Sequence, residues 1–285
     1  MNLENEVLQK LRLDWSYNSN AIEGNSFTKG ETIVLLMEGM TAKGKPFKDA
    51  LDIRGHNNAI ELMMSIIKED RDLNVVDLKN LHKILLVEDY LSDALTEEGI
   101  KTRKLIKVGE YKSSPNHVLT ATGEVHYYAT PEETPIKIQE LLTWYNKCSK
   151  SKKIHPIVLA AVFHHRFVNI HPFDDGNGRM ARLVTNLILL KYDYPIAVIK
   201  KELKQEYFSR LVQADNGELI PLIEFISIAV NNSLDLYLRA INGEDISDSI
   251  DIDMDISLFM QELDLTKERV LERNEELMNN ISFEL

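Results

Sequence analysis

The sequence predicts a mainly α-helical domain carrying one β-hairpin, on three observations. Apolar residues recur at helical spacing through most of the chain. One stretch, residues 105–130, breaks that pattern with short runs of β-formers between turn-rich segments. A third segment, Ile157-Val158-Leu159-Ala160-Ala161-Val162-Phe163, is apolar nearly all round, as expected of the central buried helix of a bundle.

The elements follow in order. From Leu3 to about Ile22 the residues Leu3, Val7, Leu8, Leu11 and Trp15 fall on one helical face, and Gly24 supplies a stop. Thr32 to Met40 and Ala50 to Ile67 give further helical segments, split by the polar turn Thr41-Ala42-Lys43-Gly44-Lys45-Pro46. Asp77 to Val87 repeats the pattern, with Asp77 as the expected N-cap. Leu105-Ile106-Lys107-Val108 and Glu124-Val125-His126-Tyr127-Tyr128 read as the two strands of the hairpin. An isolated hairpin is marginal in water, so this one leans on the helices or is used by a partner strand.

Helical pattern returns from about Glu132 to Lys147 and from Pro156 to Val168. Met180, Leu183, Val184, Leu187 and Ile188 then make an i, i+3, i+4 stripe that leaves Arg179 and Arg182 together on the other side. Segments from about Glu202 to Asp215 and Pro221 to Arg239 complete the helical set, and from Gly243 onward acidic residues dominate, as in an accessory helix or a partly disordered tail.

Composition narrows the function. The 285 residues are 44% apolar, ordinary for a soluble globular protein. A net charge of -12 argues against nucleic acid as a partner, because neutralising phosphates needs basic surface. The single cysteine, Cys148, excludes an internal disulfide framework and a Cys-rich metal site. No basic n-region followed by an apolar run opens the chain, and no apolar run approaches the roughly 20 residues of a membrane span. A cytoplasmic protein with no membrane partner is expected.

The chemistry concentrates in His171-Pro172-Phe173-Asp174-Asp175-Gly176-Asn177-Gly178-Arg179, with Arg182 one turn further on. The glycines permit tight backbone, and amides at a helix start carry the positive end of the helix dipole, so the turn is an anion site. Asp175 is a hard oxygen donor suited to Mg²⁺ or Mn²⁺, and Arg179 and Arg182 can grip phosphate oxygens bidentately. His171 has an ordinary pKa of about 6.5, which leaves neutral imidazole to accept a proton near neutrality. The competing readings are a plain helix-loop-helix corner and a zinc or iron site built on His164, His165 and His171, though a His pair in an apolar helix is more often packed than ligating. A calcium loop does not fit: counted from Asp174, the third position is Gly176 and the twelfth Thr185.

The run HPFDDGNGRMAR from His171 to Arg182 resembles the signature HPFx[DE]GNGRxxR of the Fic (Fic/Doc, Fido) family, with every fixed position filled. The resemblance extends over roughly Leu78 to Leu236, including the hairpin, Trp144, Tyr207 and Ala214-Asp215-Asn216-Gly217-Glu218. It implies a Fic-type helical bundle with a β-hairpin flap, and transfer of AMP from ATP to a Ser, Thr or Tyr hydroxyl of a target protein with release of pyrophosphate. By the same resemblance His171 is the catalytic base, Asp175 holds Mg²⁺, and Phe173, Asp175, Gly176, Asn177, Gly178, Arg179, Arg182 and Tyr207 contact ATP. Gly123, Val125, His126 and Tyr127 of the flap would receive an extended target segment by strand addition. Where the family has an asparagine, Asp215 stands here beside Asn216.

Ser19-Asn20-Ala21-Ile22-Glu23-Gly24 is similar to the family's inhibitory motif [ST]xxxE[GN]. Glu23 closes a helix, where the dipole disfavours a carboxylate by roughly 0.3–1 kcal/mol, so a compensating cation is expected. The resemblance makes that cation Arg182, in a bidentate pair. The expected domains are an inhibitory helical region 1–72, a catalytic core 73–240 and an acidic tail 241–285. Other transfers on the same fold, AMP removal with Glu23 positioning water, a metal-dependent phosphohydrolase and a non-catalytic nucleotide-binding adaptor remain as alternatives.

Overall fold

A computed structural model of the chain describes residues 3–95, 101–119, 125–246 and 256. The helices are α1 (Leu3–Ile22), α2 (Lys29–Glu38), α3 (Phe47–Lys68), α4 (Val75–Leu86), α5 (Thr134–Ser151), α6 (Pro156–Ile170), α7 (Asn177–Lys191), α8 (Lys204–Asp215) and α9 (Ile220–Ile241). They surround one main core in which Leu159, Phe163 and Phe167 of α6 meet Met180, Leu183, Val184 and Leu187 of α7. A smaller cluster of Phe27, Val34, Leu35, Ala42, Ala50 and Ile53 joins α2 to α3.

Capping sets the boundaries. Thr28 and Glu31 form a capping box at the start of α2, and Asn74 and Asp77 form another at the start of α4. The N-cap of α4 is therefore Asn74; Asp77, the expected cap, sits one turn inside and accepts from the Asn74 amide at 3.0 Å. Pro156 opens α6 at the first helical position, where its missing N–H costs nothing.

The strand region differs from expectation. Two separate antiparallel pairs occur among the described residues: β1 (Tyr90–Leu95) with β2 (Lys101–Ile106), and β3 (His117–Leu119) with β4 (Val125–Tyr127). The run beginning at Leu105 thus pairs backward, Leu105 opposite Leu91, and not forward onto residues 124–128. Tyr90-Leu91-Ser92-Asp93-Ala94-Leu95 has little β-branched or aromatic character, so nothing in it announces a strand. The flap is the shorter β3–β4 pair, in which Val118 faces His126 in register.

A second difference concerns α7. The stripe on this helix predicted one buried face, but Arg179 and Arg182 are only 4% and 3% exposed, so α7 is enclosed on both sides. On the arginine side α3 meets Arg179 through Asp52 and α1 covers Arg182. Val7, Leu11, Trp15 and Ile22 of α1 join the core, while Asp14, Ser16, Asn18, Ser19 and Asn20 are buried as well. Asn18 accepts from the Lys201 amide at 2.9 Å, Asp14 pairs with Lys29 and Lys200, and Ser16 meets His56 at 3.2 Å. The helix is seated by polar contacts in its second half. Of the tail from 241, most lies outside the described residues.

Candidate active site

The anion loop connects α6 to α7, and its shape follows from two side chains. Phe173 is fully buried and stacks on His82 of α4 with ring centroids 3.8 Å apart, which anchors the loop in the core. Asn177, the first residue of α7, folds back so that its Oδ1 accepts from the Phe173 amide at 2.9 Å and its Nδ2 donates to the Phe173 carbonyl at 2.8 Å. Phe173, expected to contact ATP, has no exposed surface and anchors the loop from within the core. Asn177 likewise spends its side chain inside the loop and can offer a phosphate only its backbone.

Gly176, at φ +77, makes the turn into α7, a conformation that L side chains rarely adopt. The first-turn amides of α7 have no acceptor within the helix, so they are available to an anion. Gly178 explains what occupies that seat. A Cβ on Gly178 would lie 2.4 Å from Glu23 Oε1, so the carboxylate of Glu23 sits directly over the start of α7.

Glu23 follows the last turn of α1, and its Oε1 accepts from Arg182 Nη2 at 2.6 Å. Arg182 also donates from Nε to Ser19 Oγ at 3.0 Å and from Nη2 to the Ser19 carbonyl at 2.8 Å. Ser19 and Glu23 therefore act together, as their four-residue spacing on a helix requires. The pair is not the fork-on-fork geometry expected: one carboxylate oxygen engages Nη2, which Ser19 shares, Nε goes to the Ser19 hydroxyl, and the buried Nη1 has no hydrogen-bond partner among the described residues. Tyr207, expected beside a nucleotide base, is 1% exposed; its hydroxyl lies 2.8 Å from His164 Nε2 and its ring faces the Arg182 guanidinium at 5.9 Å. It supports Arg182 from within. His164 is completed by Thr185 at 2.8 Å, and Thr185 donates to Ala181, so this histidine is packed and hydrogen-bonded.

Arg179 is paired with Asp52 of α3 at 2.9 Å and lies 3.5 Å from Asp175. Asp175 accepts a hydrogen bond from Tyr90 of β1 and, through Oδ1, one from the Gly176 amide at 2.6 Å. Burial pushes its carboxyl pKa up, but Arg179, the Tyr90 hydroxyl, the Gly176 amide and Lys48 outweigh it and hold the group below the ordinary carboxylate value. Asp175 is thus an anion at neutral pH. Among the described residues no cluster of three or more His, Cys, Asp or Glu side chains is placed to hold a metal, so a cation at Asp175 would draw its other ligands from phosphate and water.

His171 ends α6 in the left-handed region at φ 50, and Tyr128, which follows β4, stacks on its ring at 4.0 Å. Burial, then the charge of Lys112, lowers its pKa to about 4 against the opposing pull of the Val168 carbonyl, Glu23 and Asp175. The ring is neutral at pH 7, as a proton acceptor must be.

Residues that the sequence reading missed surround this loop. His82 Nδ1 accepts from the Gly109 amide at 2.8 Å, which leaves Nε2–H to donate to the Asp175 carbonyl at 3.0 Å. Asn116 donates to the Phe173 carbonyl at 2.9 Å, and Lys104 pairs with Asp174 at 2.5 Å. Their contacts span 57 to 93 positions of sequence, and no local pattern marks them. Of the flap residues singled out, Gly123 lies outside the described residues, Val125 and His126 belong to β4, and Tyr127 is 70% exposed at its end.

The Fic/DOC family model matches residues 72–189, which contain the whole loop. A solved Fic domain containing signaling protein from Bacteroides thetaiotaomicron is similar at 37% identity and a TM-score of 0.80, over 87% of this chain and 92% of that one. Protein adenylyltransferase Fic of Drosophila yakuba is 31% identical over 224 residues, and that of Nematostella vectensis 30% over 226, each across 79% of this chain. The chain spans less than half of the length of these two curated relatives, 41% and 48%.

Proposed function

The chain belongs to the Fic/DOC family, and from that premise we propose that it transfers AMP from ATP to a Ser, Thr or Tyr hydroxyl of a target protein and that Glu23 restrains the reaction. The observation that carries the proposal is the placement of the Glu23 carboxylate over Gly178 and against Arg182, where a phosphate would otherwise be held.

In this reading neutral His171 accepts the proton of the target hydroxyl as its oxygen attacks the α-phosphorus. The bond to the β-phosphate bridging oxygen breaks, and pyrophosphate leaves. The amides at the start of α7 bind the departing charge, Arg179 faces the β-phosphate and Arg182 the γ-phosphate. Asp175 would hold Mg²⁺, which supplies charge neutralisation on the phosphates when bound. Arg179 is already oriented by Asp52, so its phosphate contact needs little rearrangement. An edge of β3–β4 would pair with an extended target segment. Tyr128 links that flap to the base, since it follows β4 directly and stacks on His171.

Restraint follows from competition for one seat. The charged hydrogen bond from Arg182 to Glu23 contributes about 1.5–3 kcal/mol, enough to lower productive seating of the γ-phosphate roughly ten- to a hundredfold. The relatives named protein adenylyltransferase support the choice of AMP over other groups.

The test is incubation of Glu23→Gly with a cell lysate and ATP labelled at either the α or the γ phosphorus. Label from the α position alone, with a mass increase equal to AMP on a hydroxyl residue, is expected. Transfer of γ label would make the protein a phosphotransferase, and release of AMP from a modified protein without incorporation would make it a de-AMPylase.

A further inference from the structure

Lys112 stands between β2 and β3 and is 3% exposed, unusual for a lysine. Its backbone amide donates to the Pro172 carbonyl at 2.9 Å, and its Nζ donates to the Ile170 carbonyl at 3.1 Å. These two carbonyls belong to the residues immediately before and after His171. The same Nζ lies 5.9 Å from the ring of Tyr128, which covers His171 on its flap side.

His171 needs such support. A residue before proline is driven toward extended backbone, yet His171 holds φ 50 and ψ 60, in the left-handed region that L side chains rarely adopt. We infer that Lys112 is a positioning residue for His171, its amide and its ammonium clamping the flanking carbonyls so that the imidazole keeps its place at the end of α6. The inference rests on the reading of His171 as the base.

Charge adds to the clamp. The groups that act on the His171 ring are Lys112, Glu23, Asp175 and the Val168 carbonyl, with Tyr128 stacked on it, and among the side chains only Lys112 favours the neutral form. Lys112 itself is surrounded by Asp174, Lys104, Glu133 and Lys137, and burial lowers its pKa to about 8. It therefore keeps its charge at neutral pH, though with less margin than a surface lysine.

A bland explanation is that Lys112 merely caps the last carbonyls of α6, as cations at helix ends do. Two substitutions in the Glu23→Gly background separate the roles. Lys112→Met keeps the amide and the stem but removes the Nζ donor and the charge. Lys112→Gln removes the charge and keeps a donor. Two readouts apply: steady-state AMP incorporation as a function of pH, and NMR titration of the His171 ring, its signals identified by their loss in His171→Ala.

For Lys112→Met, kcat should fall roughly ten- to a hundredfold while KM for ATP changes less than about threefold, since the base is displaced and the phosphate seat is not. The His171 pKa should rise toward its ordinary value in both variants, and the acid limb of the pH profile should move up with it. Lys112→Gln should retain most of kcat at pH 8. A folded Lys112→Met with unchanged kcat and unchanged His171 titration would overturn the inference. So would a drop in thermal stability alone, which is what a cap would give. If Lys112→Met does not fold, the His171 titration in Lys112→Gln decides in the same sense. Should His171→Ala still incorporate AMP, the base reading fails, while the titration continues to judge whether Lys112 controls His171.

Discussion

α7 and the second half of α1 both lie out of water and meet at Arg182, yet they are buried by opposite means. The core face of α7 is apolar, with Met180, Leu183, Val184 and Ile188 all without exposed surface, while its buried arginines lie on the side that α1 and α3 cover. α1 instead inserts Asp14, Ser16, Asn18, Ser19 and Asn20 and is held through them. Apolar burial has no substitute partner, because water competes for none of it. A buried polar contact can be exchanged for another polar group, and a nucleotide phosphate offers such a group to Arg182. On the proposed function, the difference separates a fixed scaffold from a restraint that a nucleotide phosphate would have to displace.

The comparison can be broken from the apolar side first, by acid. His82 is lowered to about 4 and His56 and His164 to about 3, in each case chiefly by burial. These groups are neutral when folded and bind protons near pH 6.5 when unfolded, so the unfolded state takes up more protons as pH falls. The stability present above pH 6.5 should fall progressively between pH 6.5 and about 3, read as a declining free energy of denaturant unfolding. An unfolding free energy that stays level over that window would contradict the assignment of these neutral buried histidines.

Removal of the loop anchor comes next. Phe173→Ala deletes a fully buried ring stacked on His82 and should cost about 3–5 kcal/mol in denaturant unfolding. A cost under about 1 kcal/mol would mean that the loop is not fixed by the core.

On the polar side, Ser19→Ala should loosen the restraint. It removes the hydroxyl that accepts from the charged, buried Arg182 Nε, so basal AMP incorporation should rise at least several-fold, and the unfolding free energy should fall by about 1–3 kcal/mol because a buried N–H loses its acceptor. Lower activity would show that Ser19 supports Arg182 for catalysis and does not belong to the restraint. Tyr207→Phe sharpens the boundary between the two regions with the smallest effect. It removes the hydroxyl at His164 but leaves the ring against Arg182, and should cost about 1 kcal/mol of stability with KM for ATP nearly unchanged.

The contrast also explains what could be read from the sequence. The helices were legible because apolar residues recur at 3.6-residue periodicity along them, and His171, Asp175, Arg179 and Arg182 stood out as candidates because they share one short run. Glu23 was legible through a short local motif and its place at a helix end. The β1–β2 pair was not, since Tyr90 to Leu95 carries no strand composition and acquires its form from its partner. Phe173 and Tyr207 carried ligand roles by resemblance, but only three-dimensional packing reveals that both are inside. Lys112 and Asp52 were invisible for the same reason: each meets the loop across a long stretch of chain, and a lysine or aspartate in isolation reads as surface.

The most direct test of the restraint is self-modification measured with ATP labelled at the α phosphorus, comparing the natural chain, Glu23→Gly, and Glu23→Gly combined with His171→Ala. Low incorporation by the natural chain, a rise of roughly ten- to a hundredfold in Glu23→Gly, and a return to background in the double variant are expected. Equal incorporation by the natural chain and Glu23→Gly, or by the single and double variants, would contradict the account.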